Sequence, residues 1–143
     1  MHVAAILRHK GTDVAHVAAT ETIAGVAALL HARRIGAVLV KDQADQLVGI
    51  VSERDIIRSL ALHGAQVLEM TAGQLMTRDV TTATLQTSAI EALEVMTVGR
   101  FRHLPVMEGG RVAGIVSIGD VVKARLTQQE QEVDSLKAYV AGA

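Results

Sequence analysis

Two short strings carry the polar groups best placed for chemistry. Ser52-Glu53-Arg54-Asp55 and Ser117-Ile118-Gly119-Asp120 each set a hydroxyl and a carboxylate three residues apart. Each follows an apolar Gly-Ile-Val run and opens a segment with helical periodicity, so each falls where a strand gives way to a helix. At such a junction Ser can cap orphan N–H groups, and Asp can answer the positive end of the helix. The same geometry presents a hydroxyl, free N–H groups and a first-turn carboxylate able to accept both hydroxyls of a ribose. The two roles are compatible, because Ser can cap while Asp faces a ligand. The strings differ inside: Arg54 could reach a phosphate or lie solvated on the first turn, whereas Gly119 removes a side chain and leaves room for a bulkier group.

Arg100, Arg102 and His103 form the densest basic cluster. Read as extended chain, this segment points Arg100 and Arg102 one way and His103 the other. Arginine suits bidentate contact with phosphate, and a salt-bridged surface is the alternative. Pro105 has no N–H and favours a strand edge. Lys10-Gly11-Thr12-Asp13 aligns with Met76-Thr77-Arg78-Asp79, each just ahead of an extended piece. Both offer small or hydroxyl residues and a cation, either for a ligand or as part of an arm crossing the other half of the chain.

These pairs exist because the chain repeats itself. Gly49-Ile50-Val51-Ser52-Glu53-Arg54-Asp55 returns as Gly114-Ile115-Val116-Ser117-Ile118-Gly119-Asp120, an offset of about 65 residues. Upstream the offset grows by one: Val14 matches Val80, Thr22 matches Ser88, Arg34 matches Arg100 and Val40 matches Val106. The change falls where Asp42-Gln43-Ala44-Asp45 faces the shorter Glu108-Gly109-Gly110, a turn, where length changes are tolerated.

Each half must position its string with the same elements. An extended piece at residues 14–18 or 80–84 leads to a helix opened by Thr22 or by Ser88, the latter with Glu91 in capping-box spacing. Strands follow at residues 37–40 and 103–106, then at 47–51 and 112–116, and a helix starts near Ser52 or Ser117. The strand pieces are mostly continuous apolar runs, as expected when both faces are covered. The fold class is α/β (α+β), with two β-α-β-β-α repeats in tandem. The divisions are an arm at 1–13, a first repeat at 14–62, a connecting segment at 63–79, a second repeat at 80–126 and a helix at 127–143. The connecting segment holds a turn at Gly64 and a short helix from Thr71. The last helix is read over residues 128–140, with Val133, Leu136 and Val140 on one side.

This duplication resembles the cystathionine-β-synthase (CBS) domain pair. The resemblance is carried by the two Gly-Ile-Val-Ser-x-x-Asp strings, the segment Arg100-Phe101-Arg102-His103-Leu104-Pro105-Val106 and the lead-in Leu75-Met76-Thr77-Arg78-Asp79-Val80, and it spans about residues 14–126. It implies two repeats packed about a pseudo-two-fold axis, with clefts for an adenosine-containing ligand: AMP, ADP, ATP, NAD(H) or S-adenosylmethionine. In the second repeat it implies that Ser117 and Asp120 hold the ribose, and that backbone groups around His103, Leu104 and Pro105 read the adenine edge. Arg100, Arg102, Thr77 and Val80 complete that ligand set. In the first repeat the corresponding positions are Ser52, Arg54, Asp55, Val38 and Val14, with Lys10 and Thr12 ahead of them. There Ala37-Val38-Leu39 stands without Arg, His or Pro, so the two sites are expected to differ. The resemblance also implies a disc-shaped homodimer, to which the helix at 128–140 adds contact area. With no effector domain in the sequence, occupancy is expected to be passed to an unidentified effector protein or expressed through oligomer geometry.

Composition removes other classes. In 143 residues there is no Cys, which excludes disulfides, thiol nucleophiles and cysteine zinc sites. The only aromatic residues are Phe101 and Tyr139, so no platform exists for stacking bases. A net charge of −1 lacks the basic excess of a nucleic-acid binder. The most apolar stretch, residues 14–32, is broken by His16, Thr20, Glu21 and Thr22, which argues against a membrane span. Basic residues follow the apolar ones at the N-terminus, the reverse of a signal peptide, so a cytoplasmic location is expected. Neither a Rossmann nor a P-loop phosphate cradle occurs, nor a nucleophile elbow, and the six His lack metal-ligand spacing. Met70, Met76, Met96 and Met107 read as core filler. The expectation is a non-catalytic sensor module with no metal and no catalytic cofactor. The alternative is a structural or protein-interaction module whose clefts are empty.

Overall fold

The structure, a computed structural model, describes residues 1–142. In chain order the elements are α1 (Val3–Lys10), β1 (His16–Val17), α2 (Ile23–Arg33), β2 (Ala37–Lys41), β3 (Leu47–Ser52), α3 (Glu53–His63), a 3₁₀ helix (Gly64–Glu69), α4 (Ala72–Leu75), β4 (Ala83–Thr84), α5 (Ala89–Gly99), β5 (His103–Glu108), β6 (Arg111–Ser117) and α6 (Ile118–Gly142). They sort into two compact units. One is residues 13–81; the other joins residues 1–12 to the chain from Thr82 onward.

Within residues 13–81 the sheet order is β1-β2-β3. β1 runs parallel to β2, and β2 pairs antiparallel with β3 from Ala37↔Ser52 to Val40↔Gly49, with a bulge at Val40/Lys41. Ala37, Val38, Leu39 and Val40 are all buried, which explains an apolar run without alternation. α2 starts at Thr22, whose hydroxyl accepts the Gly25 N–H at 3.1 Å. Its residues Ile23, Val26 and Leu30 fall at helical spacing on one core with Val38, Val40 and Val51. Val67 of the 3₁₀ helix and Ala72 of α4 enter the same core, both fully buried.

The second unit repeats the plan: sheet order β4-β5-β6, β4 parallel to β5, β5 antiparallel to β6, and a bulge at Val106/Met107. α5 opens with the full capping box of Ser88 and Glu91. The hairpin turn uses Gly109 and Gly110, both at positive φ, where the first unit has a longer Asp42–Gln46 loop with Asp45 left-handed. The one-residue length change therefore sits in a hairpin, as the sequence indicated. The two helices read at the end of the sequence merge: α6 runs unbroken from Ile118 to Gly142. No Gly or Pro interrupts it after Gly119 until Gly142, so nothing in the chain stops it near residue 127.

α1 completes this second unit. Val3, Ile6 and Leu7 lie at i, i+3 and i+4 and share a core with Met96, Leu104, Val106, Val116 and Val121. Burying each such side chain is worth about 1.5–3 kcal/mol, which holds an eight-residue helix too short to persist alone. Leu7 lies on Gly114, where a Cβ would come within 2.8 Å of its Cδ2. Gly49 is used in the same way in the first unit, with Met76 over it. The glycine of each Gly-Ile-Val-Ser string is thus a close-packing position, filled each time by the segment that precedes the other repeat in sequence.

Candidate functional site

The strand-to-helix turn at the end of β6 gathers the second string. The Asp120 N–H donates to Ser117 Oγ at 3.1 Å, and the Ser117 N–H donates to Asp120 Oδ2 at 2.8 Å, a reciprocal cap. Lys10, the last residue of α1, adds its ammonium to the same oxygen at 2.5 Å and donates to the Ile115 carbonyl at 2.9 Å. Burial on its own would push the Asp120 carboxyl up. Hydrogen bonds from Lys10 and the Ser117 backbone, the Lys10 charge and the Ser117 hydroxyl outweigh it, so the net pKa lies below the usual aspartate value. Asp120 is held as a carboxylate.

The basic segment docks against this turn through its backbone. The Ile118 N–H, one of the orphan donors of the α6 N-terminus, donates to the Arg102 carbonyl at 2.9 Å. His103 stands opposite Ser117 in the ladder, Leu104 opposite Val116 and Pro105 opposite Ile115. β5 is the central strand of three, so Pro105 is not on an edge strand. It is tolerated because β4 pairs only with Val106 and Met107. Among the described residues, Leu104 and Pro105 have β6 on one side and no strand of their own sheet on the other. Leu104 is 1% exposed, so its side chain belongs to the core.

Arg100 departs from the extended reading. It caps α5 in the left-handed region at φ 57°, and its N–H returns to the last turn of the helix, so the alternation assumed for Arg100 and Arg102 does not apply. Arg100 and Arg102 are both exposed. Gly119 faces open space: a Cβ there would touch only Ser117 Oγ, at 3.6 Å.

In the first unit the turn after β3 has the same form. The Ser52 N–H and hydroxyl both donate to Asp55 Oδ2, at 2.8 and 3.0 Å, and the Asp55 N–H donates to Ser52 Oγ at 3.3 Å. The cation differs. Arg58, one turn along the same helix, donates to Asp55 Oδ1 at 2.8 Å. Arg54 is exposed, and Val38 is fully buried in the middle strand. Val14 and Val80 are half-buried, while Thr12 and Thr77 are exposed. The Thr77 backbone pairs with Ile50 in both directions, which places the lead-in to the second repeat beside β3.

Two groups were not singled out from sequence. Arg58 has a visible signal, its i, i+3 spacing from Asp55. The Ile115 carbonyl has none, because backbone acceptors leave no trace in residue type. Among the described residues no group of His, Asp or Glu is arranged to hold a metal ion, and no helix is long and apolar enough to cross a membrane.

Comparison with known proteins agrees with this architecture. The CBS domain family model matches twice, over residues 3–62 and 72–127. The crystal structure of the CBS-domain containing protein ATU1752 from Agrobacterium tumefaciens superposes with a TM-score of 0.85 at 44% identity, covering 87% of this chain and 99% of that one. The CBS domain pair of protein MJ0100, solved in complex with 5-methylthioadenosine and S-adenosyl-L-methionine, gives a TM-score of 0.77 at 26% identity, covering 91% of this chain and 98% of that one. The mitochondrial CBS domain-containing protein CBSX3 of Arabidopsis thaliana is 36% identical over 112 residues, covering 76% of this chain. The chain spans about half the length of that relative and about a fifth of several other plant relatives. With two matches to one family model and the same sheet, bulge and capped turn built twice, the chain belongs to the CBS domain family as a tandem pair of its repeats.

Proposed function

We propose that this protein is a non-catalytic regulatory module that binds an adenosine-containing ligand at the Ser117–Asp120 turn and signals its occupancy to a separate effector protein. The carrying observation is that turn itself: a carboxylate kept ionised and the hydroxyl of Ser117, at the start of one helix and beside the end of β5. Asp120 and Ser117 supply the ribose contacts, the β5 backbone reads the adenine edge, and Arg102 and Arg100 meet a phosphate tail. Lys10 and Thr12, of the same unit, border the ligand. Ser52, Arg54 and Asp55, with Val14 and Val38, make a second and different site. The MJ0100 complex supports the ligand class. AMP, ADP, ATP, NAD(H) and S-adenosylmethionine are the candidates. The lack of aromatic platforms means that aliphatic side chains and backbone, not stacking, hold the base. The module acts as a homodimer, in the cytoplasm, without catalytic cofactor, metal, nucleic acid or membrane.

A thermal-shift panel tests this. A ligand at 100 times its dissociation constant stabilises by about 2.7 kcal/mol, or roughly 5–10 °C for a chain of this size. A flat response to every one of these compounds at millimolar concentration sinks the reading. The second reading, a structural or protein-interaction module, is favoured by one observation: both carboxylates already have internal cations, Lys10 and Arg58. It predicts that flat response.

A further inference from the structure

Among the described residues, the second half of α6 contributes nothing to a core of its own chain. Every residue from Gln129 to Gly142 is exposed, and a helix of that length is marginal alone in water. Earlier in the helix, Val121 and Ala124 turn into the core. A separate apolar line faces away from that core: Val122, Leu126, Val133, Leu136 and Val140, exposed by 41–64%. Their spacing of four, seven, three and four is a heptad seam, with Leu126, Val133 and Val140 at one core position and Val122, Gln129 and Leu136 at the other. On an α-helix these five positions lie within about 40° of a single line, a narrow apolar stripe left in water here and of the width that one facing helix covers.

We propose that this seam pairs with the same seam of a second copy of this chain, as a parallel two-stranded coiled coil continuing from the repeats. The flanking charges select the partner. With the helices parallel and in register, Glu132 of one copy stands opposite Lys137 of the other, and Arg125 stands opposite Glu130. Two-fold symmetry makes each of these pairs twice. Gln129, the single polar seam residue, meets its own copy across the axis and fixes the register, as a lone amide does in such seams. Arg125 now shares a hydrogen bond with Gln128 within its own helix, which it exchanges for the interchain partner. The inference deepens the homodimer reading and rests on it, because a seam this short needs the repeats to raise its effective concentration.

The chain has no cysteine, so single cysteines report the alignment directly. Full-length Val133→Cys, Val140→Cys and, on the outer face, Ala138→Cys are each oxidised mildly, and the wild-type mass is measured by light scattering. Expected are a dimeric wild type, high-yield disulfide dimers for both Val133→Cys and Val140→Cys, and none for Ala138→Cys. Positions 133 and 140 lie about 10 Å apart along the helix, so an antiparallel pair cannot link both to themselves. Failure of either, or linkage between the two variants when mixed, overturns the parallel seam. A dimeric wild type would then leave the homodimer reading standing, whereas a monomer at tens of micromolar overturns both. Independently, Glu132→Lys should weaken the dimer about tenfold, and Glu132→Lys with Lys137→Glu should restore it. No change with Glu132→Lys refutes the charge pairing.

Discussion

Lys10 and Asp120, from opposite ends of the sequence, meet at 2.5 Å between Nζ and Oδ2, and the same ammonium is anchored on the Ile115 carbonyl. The residue assigned to ribose binding is therefore also where α1 is fastened to its unit. Under the proposed function, a ligand taking the Asp120 carboxylate would meet a group already paired, which would couple occupancy to the seating of α1 through one oxygen.

This pair should give stability a specific acid limb. The pKa of Asp120 is lowered in the folded protein, so its contribution is fully present above the unfolded value near 4 and is lost as pH falls through the folded value. Urea titrations from pH 6 to pH 2.5 should show the gap between wild type and Asp120→Asn closing below pH 4. A gap independent of pH would mean that the ionised carboxylate contributes nothing.

Removing the cation alone should cost little. Lys10→Met keeps the aliphatic stem and loses a partly exposed ion pair, so a loss of about 0.5–1 kcal/mol is expected in chemical denaturation. A loss several times larger would show that Lys10 acts through packing rather than charge.

For the ligand, Asp120→Ala should weaken adenosine-nucleotide binding more than tenfold in calorimetry. The lost cap should cost stability only about 1 kcal/mol. Unchanged affinity in a folded variant assigns Asp120 to the helix start alone.

Gly114→Ala should destabilise by about 1–3 kcal/mol, because its Cβ enters the space of Leu7. Combined with Leu7→Ala, which makes room, the two losses should be less than additive. Strict additivity would show that the close contact does not limit packing.

Arg34 ends α2 in the left-handed region at φ 53°, which a side chain disfavours. Arg34→Gly should stabilise by about 0.5–1 kcal/mol in thermal or chemical unfolding. A loss instead would reveal a contact by the Arg34 side chain that outweighs the strain.

Much of this fold could be read directly. Thr22, Ser52, Thr71, Ser88 and Ser117 open helices because cap chemistry is local, and apolar runs mark strands because burial on both faces leaves no polar position. The pairing of Ser with Asp at both turns was also legible, since three-residue spacing fixes it. What could not be read was tertiary. Nothing local says that Lys10 meets Asp120, or that Arg100 is left-handed rather than extended, because an Arg at that φ is tolerated only by its surroundings. Pro105 misled for the same reason: an edge was expected, and a central strand with a short neighbour serves equally well.

The membership of α1 sets a sequence of events for a newborn chain. The helix leaves the ribosome ahead of residues 13–81, yet its bed is made by residues beyond Thr82. The intervening unit, residues 13–81, is contiguous and complete before that bed exists. Seating α1 therefore closes a loop that holds a whole contiguous unit, and it has to await residues beyond Thr82.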